Sequence, residues 1–262
     1  DDYFNEVQEK LLEETNYIHE KESLIESRLL SKHLKNIVIP EVNESLSSRT
    51  ILTMEWMDGW HLSEYVEQES NQEKRNQIAQ ALWDFFQYHI HVHHKVHADP
   101  HPGNFKVNKD NKLVVLDFGC MKEIPLDFYQ SFFKLAEIEN INNDTVFLDI
   151  LKELQLINDS DTEEDIEVIK STFRTLLTII NKPYQFETFD FSDPEYFKQL
   201  LMLGNELIDD KALKNLKGKR GSRHFLYVNR TLIGLLGLMN QLQAGEVVVQ
   251  NYKSHAPIMV EG

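Results

Sequence analysis

Residues 89–105 read HIHVHHKVHADPHPGNF. The stretch holds six of the chain's eleven histidines, with an aspartate, two prolines, a glycine and an asparagine. Three chemistries compete for it: a metal site, a histidine-rich surface, or a loop that handles phosphate. A zinc site needs three or four ligands converging on one point. On a helix His89 and His93 share one face, and His91 and His94 share another, so the pairs diverge. No HExxH or cysteine-based pattern accompanies them. These four histidines are expected at a partly exposed helix end, where protonatable rings suit the negative C-terminal dipole.

The second half of the stretch carries a different pattern. His97-Ala98-Asp99 is followed five residues after the aspartate by Asn104, the H-x-D-x-x-x-x-N spacing of a protein-kinase catalytic loop. Alone it is a weak pattern. Two short strands follow, FKV (105–107) and KLVVLDF (112–118), joined by NKDN and predicted as a hairpin. The hairpin ends in Asp117-Phe118-Gly119. Folding back brings Asp117 beside Asn104, where an amide oxygen and a carboxylate can share hard cations that bridge nucleotide phosphates. Asp99 is the group that would orient an acceptor hydroxyl and take its proton. Taken singly, either aspartate reads equally well as a turn residue bonding backbone amides; the joint spacing gives both a chemical reading.

Upstream, TMEWMDG (53–59) closes an apolar strand and enters a turn at Asp58-Gly59. A kinase fold has its hinge at this point, with Met54 beside the adenine pocket and backbone groups of Glu55 and Met57 pairing with the adenine edge. The same residues also read simply as the end of a strand.

The chain of 262 residues is long enough for a sizeable core. A formal net charge of −16 excludes a broad nucleic-acid footprint, which needs clustered Lys and Arg. One cysteine, Cys120, allows no internal disulfide and suggests a reducing, cytoplasmic setting; it reads as a packed small residue. The longest apolar run, LIGLLGLM (232–239), is too short to span a membrane and follows Asn229 and Arg230. The opening DDYFNEVQEKLLEE is already helical and charged and lacks an initiator Met, so a piece of a longer protein is expected.

Residues 1–35 are predicted as one helix with an apolar stripe through Phe4, Val7, Leu11, Ile18, Ile25 and Leu29; Glu14 falls on that stripe. Residues 37–42 and 49–57 are predicted strands, and 72–94 a strong helix. Helices are predicted at 126–139, 143–156, 161–181, 193–208 and 223–242, with a short one near 245–253. Ser160 with Glu163 and Ser192 with Glu195 are expected capping pairs. DDKALKNLKGKRGSR (209–223) reads as a solvated basic loop.

HADPHPGNF together with VVLDFG resembles the UbiB family of atypical kinases, also called aarF-domain kinases. EETNYIHEKES (13–23) is similar to that family's early helix, and IVIPEV with RTILTMEWMDGWHL to its strand and hinge. The resemblance is dense over 13–125 and thin beyond. It implies a mostly α, α+β fold: a kinase-like C-lobe with a short hairpin, a long N-terminal helix and a helical C-terminal extension, the N-lobe being largely missing. The implied divisions are 1–57, 58–125 and 126–262. It implies Asp99 as the catalytic aspartate, Asn104 and Asp117 as ligands of Mg²⁺ or Mn²⁺, and Met54, Glu55 and Met57 at the nucleotide. Glu20 would be the helix glutamate that pairs with a nucleotide-binding lysine. Glu14 and Asn16 would stand at the family's Glu-x-Asp pair, with one charge lost at Asn16.

The family's Lys-x-Gly-Gln segment, Ala-rich loop and strand lysine all precede the point where this chain starts, so the chain alone is expected to be inactive and to bind Mg-ATP weakly. An uncovered apolar face would invite self-association. After Gly119 there is no long peptide platform, which favours a small-molecule, lipid or water acceptor of ATP's phosphoryl group. The resemblance further implies a link to isoprenoid quinone biosynthesis and peripheral association with membranes. An aminoglycoside- or choline-type phosphotransferase shares part of the motif, and a nucleotide-sensing scaffold is the non-enzymatic alternative.

Overall fold

The structure is a computed structural model, and it describes residues 16–209, 216, 218 and 220–251. Two apolar clusters organise it. One gathers around the long helix α3 (Gln72–His93) and the small sheets and takes in Tyr196, Leu235 and Met239 from later helices; the other lies mostly among the helices that follow residue 124, with Ile90 and Val96 reaching into it.

The first described helix is α1 (Tyr17–Leu30). It stops five residues short of the predicted 1–35 helix, because Ser31 caps it and Asn36, at φ 59°, turns the chain into β1 (Ile37–Val38). Phe4, Val7, Leu11 and Glu14 lie outside the described residues. The expected stripe is inverted: Ile18, Ile25 and Leu29 face outward, Leu29 being 70% exposed, while Ser23, Leu24 and Ser27 are buried. Periodicity marks an apolar face but not the neighbour that covers it.

The predicted strand 49–57 does not form. The segment meets its neighbours only at isolated bridges, Val42 to Met54 and Ser48 to Ile51. A strand needs a continuous partner, and among the described residues this segment has none. The chain then turns at Gly59, whose φ is 153° and where a Cβ would come within 2.5 Å of the Val107 carbonyl oxygen. Only glycine fits that approach. β2 (Trp60–His61) and α2 (Leu62–Gln68) follow.

Helix α3 is buried on several faces, through Ile78, Leu82, Trp83, Phe85, Phe86 and Ile90 among others. Asn71 caps its start by accepting from the Lys74 amide, and His94 closes it at φ 50°. The predicted hairpin forms as β4 (Phe105–Val107) and β5 (Leu113–Val115), in register Phe105 to Val115 and Val107 to Leu113. Its turn is held by Asn108 Oδ1, which accepts from the amides of Asp110 and Lys112, with Asn111 at φ 54°. β1 joins parallel to β5 and β2 antiparallel to β4, giving the order β1-β5-β4-β2. A second pair, β3 (Lys95–His97) with β6 (Met121–Glu123), runs antiparallel beside it.

The C-terminal part is helical as predicted, with differences at the ends. The 126–139 helix divides into α4 (Leu126–Phe133), a 3₁₀ turn at 134–136 and α5 (Ile138–Asn142). α6 (Asp144–Glu153), α7 (Glu163–Ile180), α8 (Pro194–Asp209) and α9 (Arg223–Gln241) follow. The cap of α7 is Thr162 with Asp165, not Ser160 with Glu163. At α8 the Glu195 amide bonds Asp193 Oδ1, and Ser192 instead bonds Asp190. Both observed caps fall a residue or two after the expected ones, where several oxygen-bearing side chains compete.

The predicted last helix at 245–253 is a strand instead, β8 (Val247–Val248), antiparallel to β7 (Thr188–Phe189). Three consecutive valines favour extended backbone. Gln80 of α3 bonds both the amide and the carbonyl of Val248, and Trp83 Nε1 donates to the Val249 carbonyl.

Candidate active site

The loop after α3 is held between the two small sheets. The Ala98 amide donates to the Cys120 carbonyl at 3.0 Å, extending the β3–β6 pairing, and the Leu116 amide donates to the Asn104 carbonyl at 3.0 Å, extending β4–β5. Residues 97–104 and 116–121 are therefore clamped side by side.

His97 is the pin of this clamp. Its ring is buried among Phe85, Phe86, Phe105 and Phe118, and Nε2 lies 2.8 Å from the Asp117 carbonyl oxygen. Burial, more than any other influence, pulls its pKa down, so the ring is neutral and Nε2–H donates to that carbonyl. His97 thus supports the backbone of the loop.

Asp99 and Asn104 touch directly. Asn104 Nδ2 donates to the Asp99 carbonyl at 3.0 Å and to Asp99 Oδ2 at 3.1 Å. His101 caps the intervening 3₁₀ turn by accepting from the Gly103 amide, and Pro102 fixes its first position. Asp117 Oδ1 accepts from the Gly119 amide at 2.8 Å. The hairpin thus gathers Asp99, Asn104 and Asp117 at one end of the sheet.

Glu20 of α1 reaches the same place. A Cβ on Gly119 would lie 3.4 Å from Asp117 Oδ1 and 3.6 Å from Glu20 Oε2, so the two carboxylates flank one glycine. Burial first, and then the Asp117 charge, push the Glu20 carboxyl above its usual range, while the Phe118 amide it accepts from opposes the shift. Cys120, next in the chain, is half-buried; burial first and the charges of Asp99 and Asp117 next raise its thiol.

The remaining sequence candidates are spread more widely. Met54 is partly exposed, the Glu55 amide donates to the Glu41 carbonyl at 2.7 Å, and the Met57 carbonyl accepts from Lys106 Nζ at 3.3 Å. Among the described residues no hydrogen bond engages the Glu55 carbonyl or the Met57 amide. Asn16 caps α1, accepting from the Ile18 amide at 3.3 Å, and Glu14 lies outside the described residues. A concavity of about 750 Å³ lies along α1, lined by Leu24, Ile25, Leu29 and Ile37 among others, and contains none of the three loop residues.

Of the four histidines at the helix end, His93 and His94 are partly exposed as expected, but His89 and His91 are buried. His89 is 1% and His91 4% exposed. His89 Nδ1 donates to the Phe85 carbonyl at 2.8 Å, and burial drives its pKa down to about 3. His91 lies between the Tyr129 hydroxyl and Gln87 Oε1. Helices packed from later in the chain cover an end that looks terminal in the sequence.

Sequence reasoning found the helix α9 but missed its contact with the loop. Arg230 donates to Asp99 Oδ1 at 2.8 Å, the Thr231 hydroxyl lies 3.1 Å from the His97 carbonyl, and Gly234 lies against Pro100. Arg230 figured in the sequence only as a charge beside an apolar run. No local pattern signals a contact made across 131 residues.

Among the described residues no three His, Cys, Asp or Glu side chains converge as metal ligands. Asn104 Oδ1 and Asp117 Oδ2 engage in no hydrogen bond among the described residues. Two free hard oxygens fit a magnesium-type ion that completes its shell with phosphate and water.

Residues 1–146 match a family model described as the ABC1 atypical kinase-like domain. The chain belongs to this family. The resemblance of HADPHPGNF and VVLDFG to the UbiB and aarF-domain kinases therefore holds. It is 33% identical over 121 residues to the protein ACTIVITY OF BC1 COMPLEX KINASE 3, chloroplastic, of Arabidopsis thaliana, covering 44% of this chain and 16% of that one. It is 32% identical over 102 residues to AarF domain-containing protein kinase 1 of Xenopus tropicalis, covering 37% of this chain and 20% of the relative. The chain thus spans at most a minor part of these family members. A chain from the complex structure of Rv3197-erythromycin from Mycobacterium tuberculosis superposes with a TM-score of 0.70 at 18% identity, over 96% of this chain and 60% of that one. That likeness concerns the fold, which is mostly helical α+β and kinase-like. No helix among the described residues is long and apolar enough to cross a membrane.

Proposed function

We propose that this chain is the catalytic-loop portion of an atypical kinase or ATPase that moves the γ-phosphoryl group of ATP to a small-molecule, lipid or water acceptor. The juxtaposition of Asp99, Asn104 and Asp117 at the open end of the hairpin carries the reading. In this reading Asp99 accepts the proton of the attacking hydroxyl as its oxygen bonds to the γ-phosphorus. The bond from that phosphorus to the bridging oxygen breaks, and ADP departs with the electron pair. Asn104 Oδ1 and Asp117 Oδ2 hold Mg²⁺ or Mn²⁺. A bound divalent ion neutralises charge on the phosphate oxygens. The Glu55 carbonyl and Met57 amide, both unengaged among the described residues, pair with the adenine edge, with Met54 alongside. Glu20 stands beside Asp117 across Gly119, and Asn16 is assigned to the same site on the family likeness alone.

The short path from Gly119 to α4, with only β6 between, supports an acceptor smaller than a protein substrate. A role in isoprenoid quinone biosynthesis and peripheral contact with a membrane are proposed on the family likeness alone. The test uses the whole protein, with Mg²⁺ or Mn²⁺, measuring ADP release with and without Asp99→Asn. Turnover falling by about a hundredfold or more in the variant is expected. Equal rates in the two proteins would defeat the enzyme reading and leave nucleotide binding as the function.

A further inference from the structure

We infer that Arg230 is a positioning residue for the catalytic loop: from α9 it fixes the Asp99 carboxylate that Asn104 holds from the other side. The inference rests on the phosphoryl-transfer reading above.

Asp99 has two carboxylate oxygens, and each has a different partner. Oδ2 accepts from Asn104 Nδ2 at 3.1 Å, a contact inside the loop. Oδ1 accepts from an Arg230 terminal nitrogen at 2.8 Å, a contact from a helix 131 residues away. With one partner the carboxylate keeps a free rotation about its terminal bond. With two partners on opposite oxygens that rotation is fixed, and each oxygen keeps a lone pair for a reacting hydroxyl. A group that must meet a hydroxyl within hydrogen-bond reach gains from such prior orientation.

The arginine is itself held in place from two sides along its helix. One residue on, the Thr231 hydroxyl lies between two carbonyls, that of Tyr227 in its own helix at 2.8 Å and that of His97 at 3.1 Å, so its one proton is shared between helix and loop. One turn on, Gly234 presents bare backbone to Pro100, where a Cβ would come within 2.1 Å of the proline ring. Both His97 and Pro100 flank Asp99. The docking of α9 is therefore built against the loop, and Arg230 is the member of that contact that meets the carboxylate. Its side chain is 66% exposed and that of Asp99 29%, so the ion pair contributes little to stability and its charge remains open to a substrate. An exposed pair with small energetic weight, set on a close-packed frame, is suited to orientation.

The opposite possibility, that Arg230 competes with the acceptor for Asp99 and acts as a brake, predicts faster turnover when the arginine is removed. The two are separated by steady-state kinetics on the whole protein with Arg230→Ala and Arg230→Lys. Positioning lowers kcat by about tenfold or more in Arg230→Ala and leaves the ATP KM within about twofold. It also returns part of kcat in Arg230→Lys, whose ammonium supplies the charge without the planar fork. A kcat unchanged or raised in Arg230→Ala overturns the inference, as does a loss seen only in KM.

Hydrogen exchange covers the case in which the wild-type protein turns over no ATP and the functional reading itself fails. The amides of Ala98, His101, Gly103 and Asn104 should then exchange about fivefold faster in Arg230→Ala, with α3 unchanged. Equal exchange in that case overturns the inference. A thermal midpoint within about 2 °C of wild type verifies that the variant is folded.

Discussion

Gly234 lies so close beneath Pro100 that a Cβ on it would sit 2.1 Å from Pro100 Cγ and 2.8 Å from its Cβ. The proline belongs to the loop 97–104 and the glycine to α9, so the position is a backbone-to-ring contact between distant parts of the chain. Gly237, one turn further on, has nothing within 4 Å of the same added atom. The two glycines should respond oppositely to alanine. Gly237→Ala gains helix propensity and stabilises by up to about 1 kcal/mol. Gly234→Ala forces the helix off the loop and costs about 1–3 kcal/mol. Urea unfolding of both variants checks the pair; a gain at both positions would show that α9 does not pack on Pro100.

Glu20 gives a pH signature. Its carboxyl is raised above the usual 4.5, by burial first and by Asp117 second. A raised carboxyl favours the protonated form in the folded state. Relative to a neutral residue it therefore weakens the fold as pH rises above about 4.5, and does so fully once the folded-state value is passed. Glu20→Gln should stabilise at pH 7 by up to about 1 kcal/mol, after allowance for partial solvent screening. The gain should vanish below pH 4.5. A variant less stable than wild type at pH 7 would mean that Glu20 is held by a favourable partner rather than by burial against Asp117.

His89 acts in the other direction. Burial lowers its pKa from the usual 6.5 to about 3. Between those values the unfolded chain binds a proton that the folded chain refuses. Stability from this site is then lost as pH falls from 6.5 towards 3, with a slope of at most about 1.4 kcal/mol per pH unit. His89→Leu should flatten the acid limb of a stability-against-pH curve, leaving the part due to His97 and His93, which burial also lowers. An unchanged slope would place the acid sensitivity elsewhere.

Arg220 and Asp161 form a two-pronged ion pair, 2.7 Å at each contact, and Arg220 also donates to the Leu156 carbonyl at 2.9 Å. The Asp161 side chain is 4% exposed. The Arg220 hydrogen bond, chiefly, holds its carboxyl below the usual 3.8. Arg220→Ala leaves that carboxylate shielded and loses about 3 kcal/mol at pH 7. Because the folded value is depressed, the pair's contribution is present above pH 3.8 and disappears as pH falls through the folded value. The difference between variant and wild type should therefore shrink in acid; calorimetry across pH 2–7 reads it, and a constant difference would assign the loss to packing.

Much of the site was readable because its parts are near in sequence. Asp99, Asn104 and Asp117 fall within nineteen positions, and a hairpin with an Asn-rich turn has few ways to close. The helices after residue 125 were readable from their 3.6-residue periodicity, which survives without knowledge of any neighbour. The outward face of α1, the buried histidines at the end of α3 and the strand at 247–248 were not readable. Each depends on which distant segment packs there, as α4 with its Tyr129 does over His91 and β7 does beside β8.

The sequence by itself determined the family, the order of helices and the short-range geometry of the loop, since local spacing, turn residues and apolar period act over a few residues. Only the tertiary structure decided that Glu20 meets Asp117 across Gly119 and that α9 brings Arg230 to Asp99. Such contacts join residues roughly a hundred or more positions apart. Their closeness is fixed by the packing of whole elements, which no short stretch of residues encodes.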